Sequence, residues 1–299
     1  MRLTLRLASA ALVLAPLPYL NAQSSPATAG APAVSSSAGK NLAMDFRTTV
    51  TTQGVPDTGV IQGHAVGSAD KLRMDLTMKG PGAQISPLGG PGGEISMILS
   101  DSGKTVTYLD SKVSHYLRVR PADMLAQAQK TGVKMNFSGT EAKVDNLGAG
   151  PVILGHPTSH YRIGTGMTMT ISAMGQEQVV KISSTSDYYY ANDIKGVVNP
   201  FASLNGGDMA AMFGSSNKEF ADKMKAMQAK LPNGTPLRGS STSTMTSQGQ
   251  TRVTTTLGEV TSVQWVDANP TLFEVPSTYT PVTLPGMTGA QGGAVPPSK

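Results

Sequence analysis

"KLRMDLTM", residues Lys71–Met78, reads as a strand with two chemically distinct faces. Leu72, Met74, Leu76 and Met78 fall on one side, and Lys71, Arg73 and Asp75 on the other. Alternate side chains of a strand point to opposite faces of its sheet, so this pattern demands one buried and one solvated face. "AMDFRTTVTT", residues Ala43–Thr52, repeats it: Met44, Phe46, Thr48 and Val50 oppose Asp45, Arg47 and Thr49. In "GMTMTIS", Met167, Met169 and Ile171 alternate with Thr168 and Thr170.

Working outward, strand signals dominate the chain. "EISMILSDSGKTVTYLD" predicts a hairpin turning at Asp101-Ser102-Gly103-Lys104. "KVSHYLRV" places Val113, His115, Leu117 and Val119 on one face. "GTEAKVDNL", "TSHYRI" and "EQVVKISSTSDYYYAND" follow, and two Thr-rich strands flank a turn at Gln248-Gly249. "LFEV" reads as a last strand, with Phe273 and Val275 inward and Pro276 ending the ladder. Two helices interrupt the strands. "PADMLAQAQKTG" starts at Pro121 and stops at Gly132. "SNKEFADKMKAMQAKLPNG" aligns Phe220, Met224, Met227 and Leu231, with a capping box at Ser216 and Glu219 and Lys223 on the far side. The expected fold is α+β: a strongly curved antiparallel sheet, a half-open β-barrel of about ten strands, with two helices on its concave side.

The ends set the destination. Arg2 and Arg6 precede an apolar run, and Leu20-Asn21-Ala22 offers a small-residue cleavage site. Residues 1–22 thus read as an export signal, too short and too Pro-broken for a membrane span. Residues 23–40 read as a disordered linker, 41–282 as one domain, and 283–299 as a disordered tail. The expected location is periplasmic or secreted, and the mature chain is not membrane-spanning. With no cysteine, it relies on its core rather than on disulfides. The formal net charge of +5 falls to +3 once Arg2 and Arg6 leave, and no basic run appears, which argues against a nucleic-acid partner.

The ordered set "KLRMDL", "ISMILSD", "TVTYLDSKVSHYLRV", "ILGHPTSHYRI", "YYYAND", "NPF", "LPNGTPLR" and "PTLFEVPSTY" resembles the exported domain-of-unknown-function family 4412. That family's fold is likened to the half-open β-barrel of the lipoprotein carriers LolA and LolB. The resemblance spans roughly residues 41–282; it departs at Tyr188-Tyr189-Tyr190, where a tryptophan-bearing strand is expected. It implies no enzyme activity and, by analogy of fold, a cavity suited to an acyl chain or a partner's apolar segment.

Motifs for chemistry are weak. Gly103-Lys104-Thr105 lacks the first glycine of a phosphate loop, with Ile98 in its place, and lies between strands rather than before a helix. His156 and His160 are four apart, but "TSHYRI" reads as a strand, where that spacing builds no metal site. The pairs Met74/Met78, Met167/Met169 and Met224/Met227 lie on apolar faces that a core requires, so packing outweighs copper ligation. No Gly-x-Ser-x-Gly elbow is present. No cofactor is implied.

The leading expectation is therefore a non-catalytic exported envelope protein. It would bind a lipid, acyl chain or apolar protein segment in a cavity lined by Met44, Phe46, Leu72, Met74, Leu76, Met78, Met167, Met169 and Ile171. The alternative is an envelope interaction or stress-sensing protein with a filled core and no small-molecule ligand.

Overall fold

The computed structural model describes residues 39–80, 93–120, 123, 132, 134–173, 176–195 and 218–282. Their strands form one sheet in the order β12-β6-β5-β4-β3-β2-β1-β11-β10-β9-β8-β7. In chain order these are β1 (Lys40–Thr52), β2 (Gly59–Gly67), β3 (Leu72–Lys79), β4 (Glu94–Ser100), β5 (Thr105–Asp110), β6 (His115–Val119) and β7 (Lys134–Ala149), then β8 (Thr158–Ala173), β9 (Gln176–Ala191), β10 (Thr235–Ser247), β11 (Gln250–Asp267) and β12 (Thr280–Pro281). All pairings are antiparallel except β12 with β6. Among the described residues one α-helix occurs, α1 (Lys218–Gln228).

This corrects the α+β expectation. Among the described residues the architecture is mostly β: an open sheet of 12 strands with one helix of 11 residues, not a half-barrel of about ten strands with two helices. Two strand readings are corrected with it. "TSHYRI" and "GMTMTIS" are parts of the single strand β8. "GVIQGHAVG", which is β2, went unread because glycines break its apolar alternation. Gly63 is there for space: a Cβ on it would sit 2.2 Å from the Phe46 ring of β1. The helix expected after Pro121 and the cap at Ser216 lie outside the described residues.

The terminal strand is also corrected. Asn269 accepts from the backbone N–H of Thr271, and Pro270 opens a 3-10 turn over Pro270–Phe273. A side-chain cap followed by proline pre-sets a helical turn and removes a ladder donor, which overrides the β-propensity of Leu272 and Phe273. The turn lies against β3 and β4, where Arg73 Nη1 donates to the carbonyl of Leu272 at 3.4 Å. Because Arg73 faces away from Met74, Phe273 belongs to a strap on the outer face rather than to the interior.

Turn chemistry follows the sequence more closely. Ser247 pairs with Gln250, and Gln248 and Gly249 both take positive φ (51° and 76°), as a type I′ hairpin requires. Ser100 pairs with Thr105 across the Asp101–Gly103 turn. Strand β6 begins only at His115, which leaves Val113 exposed in the preceding turn rather than on the expected face.

Candidate functional site

The cavity residues expected from alternation do share the inner face of the sheet. The pairing Phe46–Val260, Met44–Ala65, Ala65–Met74 and Met74–Met97 carries one apolar surface across five strands. Met44, Phe46, Leu72, Met74 and Leu76 are buried there with Leu42, Met97 and Leu99. Met167 is buried in a second cluster with Phe137, Ile163, Tyr188 and Tyr190, and Met169 packs on its margin. Met78 and Ile171 are half-buried at strand ends. The nine residues are thus divided between two places rather than gathered around one cavity.

The second cluster is closed by α1. Phe220, Met224 and Met227 are buried in it, Leu231 packs against it, and the Phe220 and Phe137 rings stack at 5.3 Å. The stripe spaced by four, three and four residues docks as the sequence predicts. Lys223 is not idle, however: its Nζ donates to the carbonyl of Thr140 at 2.7 Å and pairs with Glu219 at 2.8 Å.

Between the clusters the inner face changes chemistry. Thr256, Ser241 and Ser186 form one buried cross-strand row, and Thr254, Ser243 and Ser184 another. Ser186 donates to Ser241 at 2.8 Å, and Thr165 and Ser184 share a hydrogen bond at 2.8 Å. Hydroxyls satisfied by each other can be buried at little net cost. Beside this seam, burial holds the Tyr188 phenol above its ordinary range, partly opposed by Ser186. Burial, with the neighbouring Tyr188 and Tyr161, raises the Tyr190 phenol well above it. The Tyr190 hydroxyl has no hydrogen-bond partner among the described residues.

The outer face holds the groove that alternation did not single out. Asp45, His64, Asp75 and Ser96 lie directly opposite one another on β1, β2, β3 and β4. His64 Nδ1 meets Asp45 at 2.7 Å, and Ser96 Oγ donates to Asp75 at 2.6 Å. Arg73 grips both oxygens of Asp75 at 3.2 Å. Burial alone would raise the Asp75 pKa; hydrogen bonds from Arg73 and Ser96, with the charges of Arg73 and His64, outweigh it and leave the carboxyl below its ordinary value. Asp45, His64, Arg73 and Asp75, with Ala43, Val66, Val266 and Leu272, line an open groove of about 440 Å³.

That row does not assemble a nucleophilic relay. Along it the order is Ser262, Asp45, His64, Asp75, Ser96, so a carboxylate separates His64 from each serine. Residues two strands apart are roughly 9–10 Å from one another, against the roughly 3 Å a serine–histidine pair needs. What the row offers is a fixed set of acceptors and one imidazole. Its polar residue types were visible at Arg73 and Asp75, but the pairing register that brings in Asp45, His64 and Ser96 was not.

Two further histidines are also held by carboxylates. His156 Nδ1 meets Asp193 at 2.7 Å. His160 Nε2 meets Asp187 at 2.8 Å and stacks on Tyr189 at 4.5 Å. Arg162 binds the same Asp187. Among the described residues no cluster of three His, Asp or Glu side chains is arranged to hold a metal.

No family model, curated protein or solved structure matches the chain. The resemblance to family 4412 and to the LolA and LolB carriers gains no support from them.

Proposed function

We propose that this is an exported, non-catalytic interaction protein of the cell envelope, with a filled core and no small-molecule guest. The observation that carries the reading is the division of the nine expected lining residues. Five are buried among neighbours in one cluster, Met167 is buried in the other, and a seam of buried hydroxyls lies between the two. A flexible acyl chain needs a continuous apolar cavity, and methionine side chains occupy that volume here. One open groove lies on the outer face and another beside α1 at the edge of β7.

Titration with fatty acids, lysolipids and an acylated peptide, followed through Trp265 beside the first cluster, tests this reading. The expected result is no saturable change below about 100 μM ligand. Saturable binding tighter than that, with a negative heat-capacity change, would restore the lipid-carrier reading.

A further inference from the structure

The two edges of the sheet are treated differently. At one end, β12 contributes only two residues, Thr280 and Pro281, so it is a short edge that proline blunts. At the other end β7 is a 16-residue edge strand, paired only with β8 among the described residues. A long edge presents a row of backbone donors and acceptors that another strand can take up. Part of it is guarded. The register shifts at residues 139–140, and Lys223 occupies the Thr140 carbonyl. Residues 141–146 carry no such guard; the register shifts again at Leu147, which is 45% exposed.

The charges of this stretch select a partner. Glu141, Lys143 and Asp145 alternate along one face, with Lys143 Nζ 2.8 Å from Asp145. Opposed residues in an antiparallel pair share a face, so two-fold pairing places a residue on the axis. An axis at Lys143 opposes Lys143 to itself and Glu141 to Asp145, which is repulsive at each pair. An axis at Ala142 drives the second strand into the shifted segment and the Lys223 contact. An axis at Val144 crosses Lys143 of each copy with Asp145 of the other and keeps the pairing within residues 142–146, short of the second shift at Leu147. On the inner face, Ala142, Val144, Ala226 and Met227 line a groove of about 360 Å³ beside this edge. A second strand would extend its floor under α1.

We propose that residues 142–146 of β7 form a homodimerisation edge, paired antiparallel about Val144 with the same segment of a second copy. The inference is independent of the filled-core reading, because it rests on the backbone edge and the outer-face charges of β7 and not on whether the interior holds a guest.

Sedimentation velocity on the full chain purified from an exporting host provides the test, over about 1–100 μM. The wild type should dimerise. Lys143→Asp and Asp145→Lys should each weaken the dimer by about tenfold or more, because each opposes like charges twice. The double variant Lys143→Asp/Asp145→Lys should recover the dimer. The Lys143 side chain is 77% exposed, so circular dichroism and Tm should stay at wild-type values. A wild type that is monomeric throughout overturns the proposal. So does a dimer indifferent to the single reversals, a double variant that stays monomeric, or a monomer that instead captures an unrelated extended peptide.

Discussion

The two apolar clusters occupy one face of one sheet, yet they are built by different means. The β1–β5 cluster is made chiefly by strands alone: Met44, Phe46, Leu72, Met74 and Met97 stand opposite one another in register and cover each other. The β7–β9 cluster has fewer apolar residues of its own and borrows three from α1. The first half also carries the strap at Pro270–Phe273 on its outer face, whereas the second ends in the exposed edge of β7. Local alternation suffices to make a core where neighbouring strands agree in register. Where it falters, at the tyrosine run and the hydroxyl seam, a distant helix has to supply the closure.

Breaking the borrowed contact should have the largest effect. Met224→Asp places a charge among Phe137, Tyr190 and Phe220 and should cost about 3–5 kcal/mol, read by urea unfolding. Lys225→Asp, on the exposed side of the same helix, should change stability by no more than about 0.5 kcal/mol. Equal losses for the two variants would remove α1 from the second cluster.

The seam between the clusters should respond less, and non-additively. Ser186→Ala or Ser241→Ala leaves one buried hydroxyl without its partner and should cost about 1–2 kcal/mol. The double variant should cost less than the sum, because both polar groups are then gone. Strict additivity would mean that the 2.8 Å contact does not couple them.

The smallest effect at neutral pH belongs to Tyr190→Phe, which removes a buried hydroxyl lacking a partner among the described residues and should be neutral or slightly stabilising. Its signature lies at high pH. The folded pKa is raised, so the unfolded chain loses this proton first, near the ordinary value of 10.0, and stability falls as pH rises beyond it. The slope reaches about 1.4 kcal/mol per pH unit for one such group. Tyr190→Phe should flatten the decline of Tm above that pH, and an unchanged decline would contradict the burial of this phenol.

Much of this was legible because it is local. The faces of β1 and β3, both hairpin turns and the α1 stripe follow from period two, period 3.6 and turn chemistry. β2 was hidden by Gly63, whose role is to leave space for Phe46 on a neighbouring strand. "LFEV" was misread because the Asn269 cap and Pro270 outweigh β-propensity. Sharing a face proved not to mean sharing a cavity: Met74 and Met167 are both inward, yet strand order inserts β2, β1, β11, β10 and β9, with the hydroxyl seam, between these two residues. The groove at Asp45, His64, Arg73 and Asp75 depends on register between strands, which no single strand encodes.

The central claim is that the inner face is filled by the chain itself. Native mass spectrometry of the protein, purified in a gentle detergent-free buffer from the cell that makes it, weighs any retained guest directly. The expected masses are those of the polypeptide and its integer multiples, with nothing added. A reproducible extra mass that dissociates on activation and extracts into organic solvent would contradict it.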